Sequence, residues 1–326
     1  MNHRRQLEID AGYRQSSRWH ERKPVIDYRD LDMEAAIKKE NQQMTISAEQ
    51  YYSDQLGDVP LLSQSTANLL LQKSPYHAWE SHPKLGGKDR KPTAAMTNGT
   101  IIHALVSGDE SGLQIIDAPD FRTKESQRLR DEAIELGLAP VLACKVDEMR
   151  VAAETIRSQA IRFGYDLPSY HNERTVLWDE GPTKCKARLD FYDGDCLIID
   201  LKTTADASVD KCIRTICDNG YDVQAAAYIR AIESEFPDTT GRIRFVNLFA
   251  EIEAPYLVTP VEMDESFLTI GRSKWQRAIE IWQRCLNTNH WPGYTEKTVK
   301  VMAPSWYVSR EMEQSAIHYT GGGLDG

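Results

Sequence analysis

From Lys184 to Asp190 the apolar and polar positions alternate with a period of two. Cys185, Ala187 and Leu189 are separated by Lys184, Lys186, Arg188 and Asp190. The following run carries Leu197, Ile199 and Leu201 at its odd positions and ends in Asp200 and Lys202. That period belongs to strands, so the pattern predicts a hairpin, Lys184 to Asp190 and Cys196 to Leu201. Burying both odd sets together places every even residue on one shared face. A two-residue loop at Asp193-Gly194 would pair Asp190 with Leu197 and mix the faces, because a slip of one residue flips every side chain. A three-residue loop, Asp193-Gly194-Asp195, pairs Asp190 with Ile198 and needs one left-handed residue, which a glycine supplies. Asp190 then sits diagonally across from Asp200, roughly 7–8 Å away at Cα.

Elsewhere the period is helical. "LLSQSTANLLLQKSPYHAW" predicts a helix capped near Ser63 or Ser65, then a short second helix with Pro75 at its first position. "TNGTIIHALVSG" predicts a helix capped by Thr97 or Asn98, and residues 123–163 keep helical spacing with many charges. A β-rich section runs from about Glu173 to Leu201. "DVQAAAYIRAIESEF" predicts a helix capped by Asp222; strands follow at Ile243–Ala250 and Tyr256–Val261, then a long helix over "DESFLTIGRSKWQRAIEIWQRCLN". The fold class is therefore α/β of the mixed α+β kind, a central mixed sheet flanked by helices with helical elements before it. The pattern divides the chain into an arm at residues 1–44, flexible or loosely docked, a domain at 45–310, and a flexible tail at 311–326.

Composition narrows the classes. Of 326 residues 41% are hydrophobic, enough for a buried core, and no apolar run approaches the roughly 20 residues of a membrane span. The polar start "MNHRRQLEID" is unlike a signal peptide, so a cytoplasmic, non-membrane protein is expected. The net charge of -10 argues against a protein that coats nucleic acid through bulk charge, though not against a local basic groove. The six cysteines form no C-x-x-C pair and read as core thiols.

The chemistry concentrates on the hairpin. Two carboxylates at that separation can share a divalent cation, and hard oxygen ligands suit magnesium or manganese. Lys202, one step past Asp200, can orient a water or stabilise phosphate charge. A surface hairpin with a salt-bridged polar face explains the same spacing. His103 stands four residues after Gly99 on a predicted helix. Gln224 and Tyr228 stand at i and i+4 on one helical face.

Taken in order, Gly99/His103, Asp190, Asp200/Lys202 and Gln224/Tyr228 resemble the PD-(D/E)XK nuclease superfamily. The branch they resemble holds RecB-type nuclease domains and the RecE-type exonuclease, exonuclease VIII. "ISAEQYYSD", "LSQSTANLLLQKSPYHAW" and "GTIIHALV" also resemble RecE-type catalytic domains, so the resemblance spans roughly residues 46–310. It implies a restriction-endonuclease-like core and a Mg2+-dependent deoxyribonuclease, with Mn2+ able to substitute. The implied activity is 5′-to-3′ exonuclease on double-stranded DNA ends, leaving 3′ single-stranded tails for recombination. An endonuclease or nickase, or a silent DNA-end-binding module, is the alternative. The resemblance implies that His103, Asp190, Asp200 and the Leu201 carbonyl hold the metal and that Lys202 positions the attacking water. Gln224 and Tyr228 would support the site or contact the phosphate backbone, and Glu173 matches an acid often found on the preceding strand. Lys88, Arg90 and Lys91 and a second group, Arg122, Lys124, Arg128 and Arg130, are candidate DNA-backbone contacts, with Arg122 placed at the 5′ phosphate. Related nucleases with an iron–sulfur cluster use an early cysteine and a late cysteine trio; this chain has neither, so no iron–sulfur cluster is expected. The implied partners are a RecT-like single-strand annealing protein, as in phage and prophage settings, and further copies in a homo-oligomeric ring.

Overall fold

A computed structural model of the protein describes residues 46–87 and 94–320. The expected arm at 1–44 and the loop residues Lys88, Arg90 and Lys91 lie outside the described residues.

The core is a five-stranded mixed sheet, ordered β3 (His171–Glu180), β4 (Thr183–Tyr192), β5 (Leu197–Thr204), β6 (Arg244–Glu251) and β7 (Val258–Glu262). Only β5 and β6 run parallel within it; the other neighbours are antiparallel. A parallel pair needs a long crossover. Here it is made by α7 (Val209–Asn219) and α8 (Tyr221–Glu235). Strands buried on both faces read as unbroken apolar runs, as β5 and β6 do at Leu197–Ile199 and Phe245–Val246.

Each face has its own core. One joins Ala187, Leu189, Ile198, Phe245 and Phe249 to α2 (Gln64–Gln72), α3 (Pro75–Ser81), α8 and α9 (Glu265–Thr288). The other joins Phe191, Ile199, Leu201, Val246 and Leu248 to α4 (Ala94–Ser107) and α6 (Ala143–Arg162). Beside α6 lie α5 (Lys124–Glu135) and a parallel pair, β1 (Leu113–Ile116) and β2 (Ala139–Leu142). A short helix, α1 (Ala48–Tyr52), precedes them. Helices α8 and α9 cross closely: a Cβ on Gly271 would fall 2.1 Å from the Asp222 carbonyl oxygen, so only glycine fits.

Ser63 caps α2 by accepting the Thr66 N–H, and Pro75 opens α3 behind the Ser74 cap. Other expectations need correction. Helix α4 begins at Ala94, before Thr97 or Asn98. Asp222 does not cap α8, which starts right after Gly220; it is buried in the first turn, 2.6 Å from Lys274 Nζ. Residues 311–320, expected in a flexible tail, belong to α10 (Ser305–Thr320), whose side chains from 305 to 315 are exposed.

The hairpin keeps its parity and shifts its register. Phe191 pairs with Ile199 and Tyr192 with Ile198, and the Asp193 N–H donates to the Leu197 carbonyl. The loop is three residues long, Gly194-Asp195-Cys196, one residue later than expected, with Gly194 at φ +84. The odd residues of the two strands do not share a face: Cys185, Ala187 and Leu189 enter one core, and Leu197, Ile199 and Leu201 the other. Phe191, the next odd residue of β4, joins Ile199 in the second core, so β4 switches faces at Asp190, where its ladder to β5 stops; helices on both sides of the sheet bury both sets.

Candidate active site

After Phe191↔Ile199 the β4–β5 ladder stops. The Leu201 N–H goes to Asp190 Oδ2 at 2.9 Å, a side chain in place of a ladder carbonyl. The edge of β4 that β5 leaves is taken by Leu62, which donates to the Lys184 carbonyl at 2.9 Å and accepts from the Lys186 N–H at 3.0 Å. Backbone groups buried in this way must find partners, so the splay persists only because Asp190 and Leu62 supply them. The splay draws Asp190 to β5 and opens a gap beside it.

Three donors meet at that gap. One ligand atom each from His103, Glu173 and Asp190 lie within 4.8 Å of one another. His103 reaches it from α4, with Nδ1 3.4 Å from Asp190 Oδ2. The apolar residues Ile101, Ile102, Leu105 and Val106 hold that helix against the sheet. Gly99 lies over the end of β5, where an added Cβ would stand 3.4 Å from Thr203 Oγ1. Glu173 lies on β3 between Asn172↔Phe191 and Arg174↔Leu189 with a left-handed backbone, φ +51. Such a conformation costs about 1 kcal/mol or more outside glycine. Arg188, two residues before Asp190, grips Glu173 with Nε 2.6 Å from Oε2 and donates to Thr175 Oγ1 at 3.0 Å.

A second tier lies against α8. Asp200, 1% exposed, accepts the Gln224 Nε2–H at 2.5 Å on Oδ1 and has Lys202 Nζ 2.6 Å from Oδ2. Lys202 donates to Gln224 Oε1 at 3.0 Å and sits 4.1 Å above the Tyr221 ring. Tyr228 meets Phe245 edge-on at 6.1 Å. One face of α8, over two turns, therefore presents Tyr221, Gln224 and Tyr228 as a roof over the acid and the amine.

The electrostatics follow. Burial, then the charges of Asp200 and Glu173, push the Asp190 carboxyl well above the usual carboxylate range. Burial lowers His103, against the pull of Asp200 and Glu173, and so favours the neutral imidazole that can act as a ligand. Burial alone would lower Lys202, but Asp200, Tyr221 and Asp190 outweigh it and keep the amine charged. Three neighbouring acids, Glu173, Asp190 and Asp200, face one ammonium and the Arg188 guanidinium, an excess of carboxylate that a divalent cation relieves. One imidazole nitrogen, carboxylate oxygens and a nearby backbone carbonyl are donors suited to manganese or magnesium.

His103, Glu173 and Asp190 thus come together, and Asp200, Lys202, Gln224 and Tyr228 adjoin them through the Asp190–Leu201 bond. Glu173 belongs with the donors, while Asp200 is bound to Gln224 and Lys202. The second basic group is occupied by its own acids: Arg122 lies 3.5 Å from Asp120, Arg128 pairs with Glu125 and Glu132, and Arg130 with Asp131. Lys124 opens α5 on the exposed surface. Sequence reasoning missed Arg188 and Tyr221. Arg188 shares the polar alternation with Asp190, which was the available signal; Tyr221 had none beyond its i, i+3 spacing to Gln224.

A family model for a PDDEXK-like domain of unknown function, DUF3799, matches residues 64–302. No curated protein matches the sequence. A crystal structure of an exonuclease candidate from Eubacterium rectale is similar at a TM-score of 0.54 and 15% identity, covering 84% of this chain and 99% of its own. A phage related exonuclease from Haemophilus somnus gives a TM-score of 0.32 and 11% identity, over 73% of this chain and 99% of its own. With the family match running from α2 to the segment before α10 and spanning every residue of the two tiers, the chain belongs to the PDDEXK-like DUF3799 family.

Proposed function

We propose that the protein is a divalent-metal-dependent nuclease that degrades duplex DNA from its ends. The reading is carried by the donor set His103, Glu173 and Asp190 next to the Asp200–Lys202 pair at the splayed strand of a PDDEXK-like fold. Magnesium or manganese would be held by His103, Glu173 and Asp190 with the Leu201 carbonyl, and Asp200 beside them. When bound, the ion supplies charge neutralisation at the scissile phosphate and eases deprotonation of a water. Lys202 orients that water: Gln224 and the Tyr221 ring fix its ammonium, so little reorganisation remains when charge develops. Gln224 acts as the spacer between acid and amine, bonding both at once. Arg188 holds Glu173 turned toward the donors.

The finer assignments stand on the resemblance: exodeoxyribonuclease activity of the RecE type, 5′-to-3′ polarity, 3′ tails for recombination, a ring of copies, a RecT-like annealing partner and a cytoplasmic setting. Among the described residues no helix is long and apolar enough to cross a membrane. The fold neighbour described as an exonuclease candidate agrees with the choice of ends as substrate. The test is cleavage of linear and covalently closed duplex DNA, with Mg2+ or with EDTA, using separate 5′ and 3′ labels. Mg2+-dependent loss of linear DNA, with the 5′ label released first, is expected. Cutting of closed circles would replace this reading with an endonuclease, and binding without cleavage would replace it with an end-binding module.

A further inference from the structure

Asn247 lies midway along β6, an inner strand of the sheet, and has no part in the chemistry above. It is the register partner of Asp200 across the parallel β5–β6 ladder, so both side chains leave the same face. On that face Phe245 meets Tyr228 at 6.1 Å and Phe249 meets Tyr221 at 6.4 Å. Helix α8 therefore runs along β6 with Gln224, which lies between those tyrosines, over Asn247. Asn247 is 0% exposed, and among the described residues neither Nδ2 nor Oδ1 has a hydrogen-bond partner. Asp200 Oδ2, buried beside it, faces Lys202 Nζ without an aligned hydrogen bond.

An apolar side chain would fill this position between two phenylalanines without penalty, whereas a buried amide with no partner is costly. Its place next to the acid accounts for it. We propose that Asn247 is a positioning residue for Asp200. One buried water accepts from Asn247 Nδ2 and donates to Asp200 Oδ2, and so holds the carboxylate against Gln224 and Lys202. Such a site has the polar partners that an internal water needs. Asn247 touches neither substrate nor ion and acts through Asp200 alone. The proposal deepens the nuclease reading and rests on it.

The full chain, Asn247→Leu, Asn247→Ser and Asp200→Asn are compared in three measurements: thermal melting without metal, Mn2+ binding by calorimetry, and kcat and KM on linear duplex DNA. For Asn247→Leu the expected result is a melting temperature no lower than wild type, Mn2+ affinity weakened several-fold, and kcat reduced tenfold or more with KM within twofold. Asn247→Ser, which can still hold the water, recovers most of the rate. Unchanged kcat and Mn2+ affinity in Asn247→Leu overturn the proposal. So does a fall in activity that only tracks a fall in melting temperature, because that is a purely structural role. If the wild type itself cleaves nothing, the nuclease reading fails, and the Mn2+ titration still decides whether Asn247 acts on Asp200.

Discussion

Lys186 forms a buried ion pair whose removal has a calculable cost. Its ammonium lies 2.5 Å from Asp54 Oδ1 and donates to the Tyr51 carbonyl at 2.7 Å. It sits 4.8 Å above the Tyr51 ring. Asp54 is 0% exposed, and its other oxygen accepts the Leu61 N–H at 3.1 Å. The pair clamps residues 51–62 onto the edge of β4 that β5 abandons. Lys186→Met keeps most of the side chain and leaves the buried carboxylate with only the Lys84 ammonium, 4.0 Å from its other oxygen, and the His82 ring at 3.6 Å. Breaking one side of such a pair costs about 3–5 kcal/mol. At about 2 cal/mol/K per residue, a domain of this size has an unfolding entropy of about 0.6 kcal/mol/K, so a loss of about 4 kcal/mol lowers the melting temperature by about 7 °C. Asp54→Asn keeps an acceptor for Leu61 and tolerates the left-handed backbone at φ +59, yet strands the ammonium, with a similar loss. The double variant removes both charges, so its loss should fall at least about 2 kcal/mol short of the sum of the two single losses. Calorimetric melting of the four proteins at neutral pH is the assay. A Lys186→Met melting temperature within about 2 °C of wild type, or strictly additive losses, would refute the account of the clamp.

Three further outcomes are expected. Asp200→Asn and Lys202→Met each lower the rate on linear duplex DNA by about 100-fold or more, and each melts cooperatively but several degrees below wild type because it breaks the buried Asp200–Lys202 pair; activity within tenfold would remove that residue from the site. Mn2+ at about 100 times its dissociation constant stabilises the fold by about 2.7 kcal/mol, a rise of about 4 °C, and Asp190→Asn or His103→Ala abolishes that rise; an undiminished rise in these variants places the ion elsewhere. His82 supplies a pH dependence. Its Nε2–H donates to the Leu61 carbonyl and its Nδ1 accepts the Lys84 N–H, so the buried ring is neutral, and burial lowers its pKa. Below about pH 6.5 the unfolded chain takes up a proton that the fold refuses, so stability is full above that pH and lost as pH falls through it. His82→Gln should flatten the decline in melting temperature between about pH 7 and 5 without abolishing it, because His103 is shifted in the same direction; an unchanged slope would show that His82 carries no such linkage.

Alternation and helical spacing in the sequence settled a good deal. They determined that Asp190 lies on one strand of a hairpin and Asp200 and Lys202 on the other, that helices begin near Ser63 or Ser65 and at Pro75, and that the turn after β4 is three residues long. Those features are local: a strand period, a cap or a glycine turn is decided within a few residues of chain. The number of covered faces is not local. Ala187 and Ile199 look alike in the sequence, and only the helices packed above and below decide that they enter different cores. Glu173 joins the donor set because β3 brings a left-handed residue opposite Asp190, and Asp200 turns to Gln224 because the crossover returns α8 over β5. Asn247 acquires its meaning in the same way, 47 residues beyond Asp200 in sequence and its direct neighbour in the sheet. The chain by itself fixed which residues could do the chemistry; the tertiary structure decided which of them meet, because contacts between distant segments depend on packing that no local pattern records.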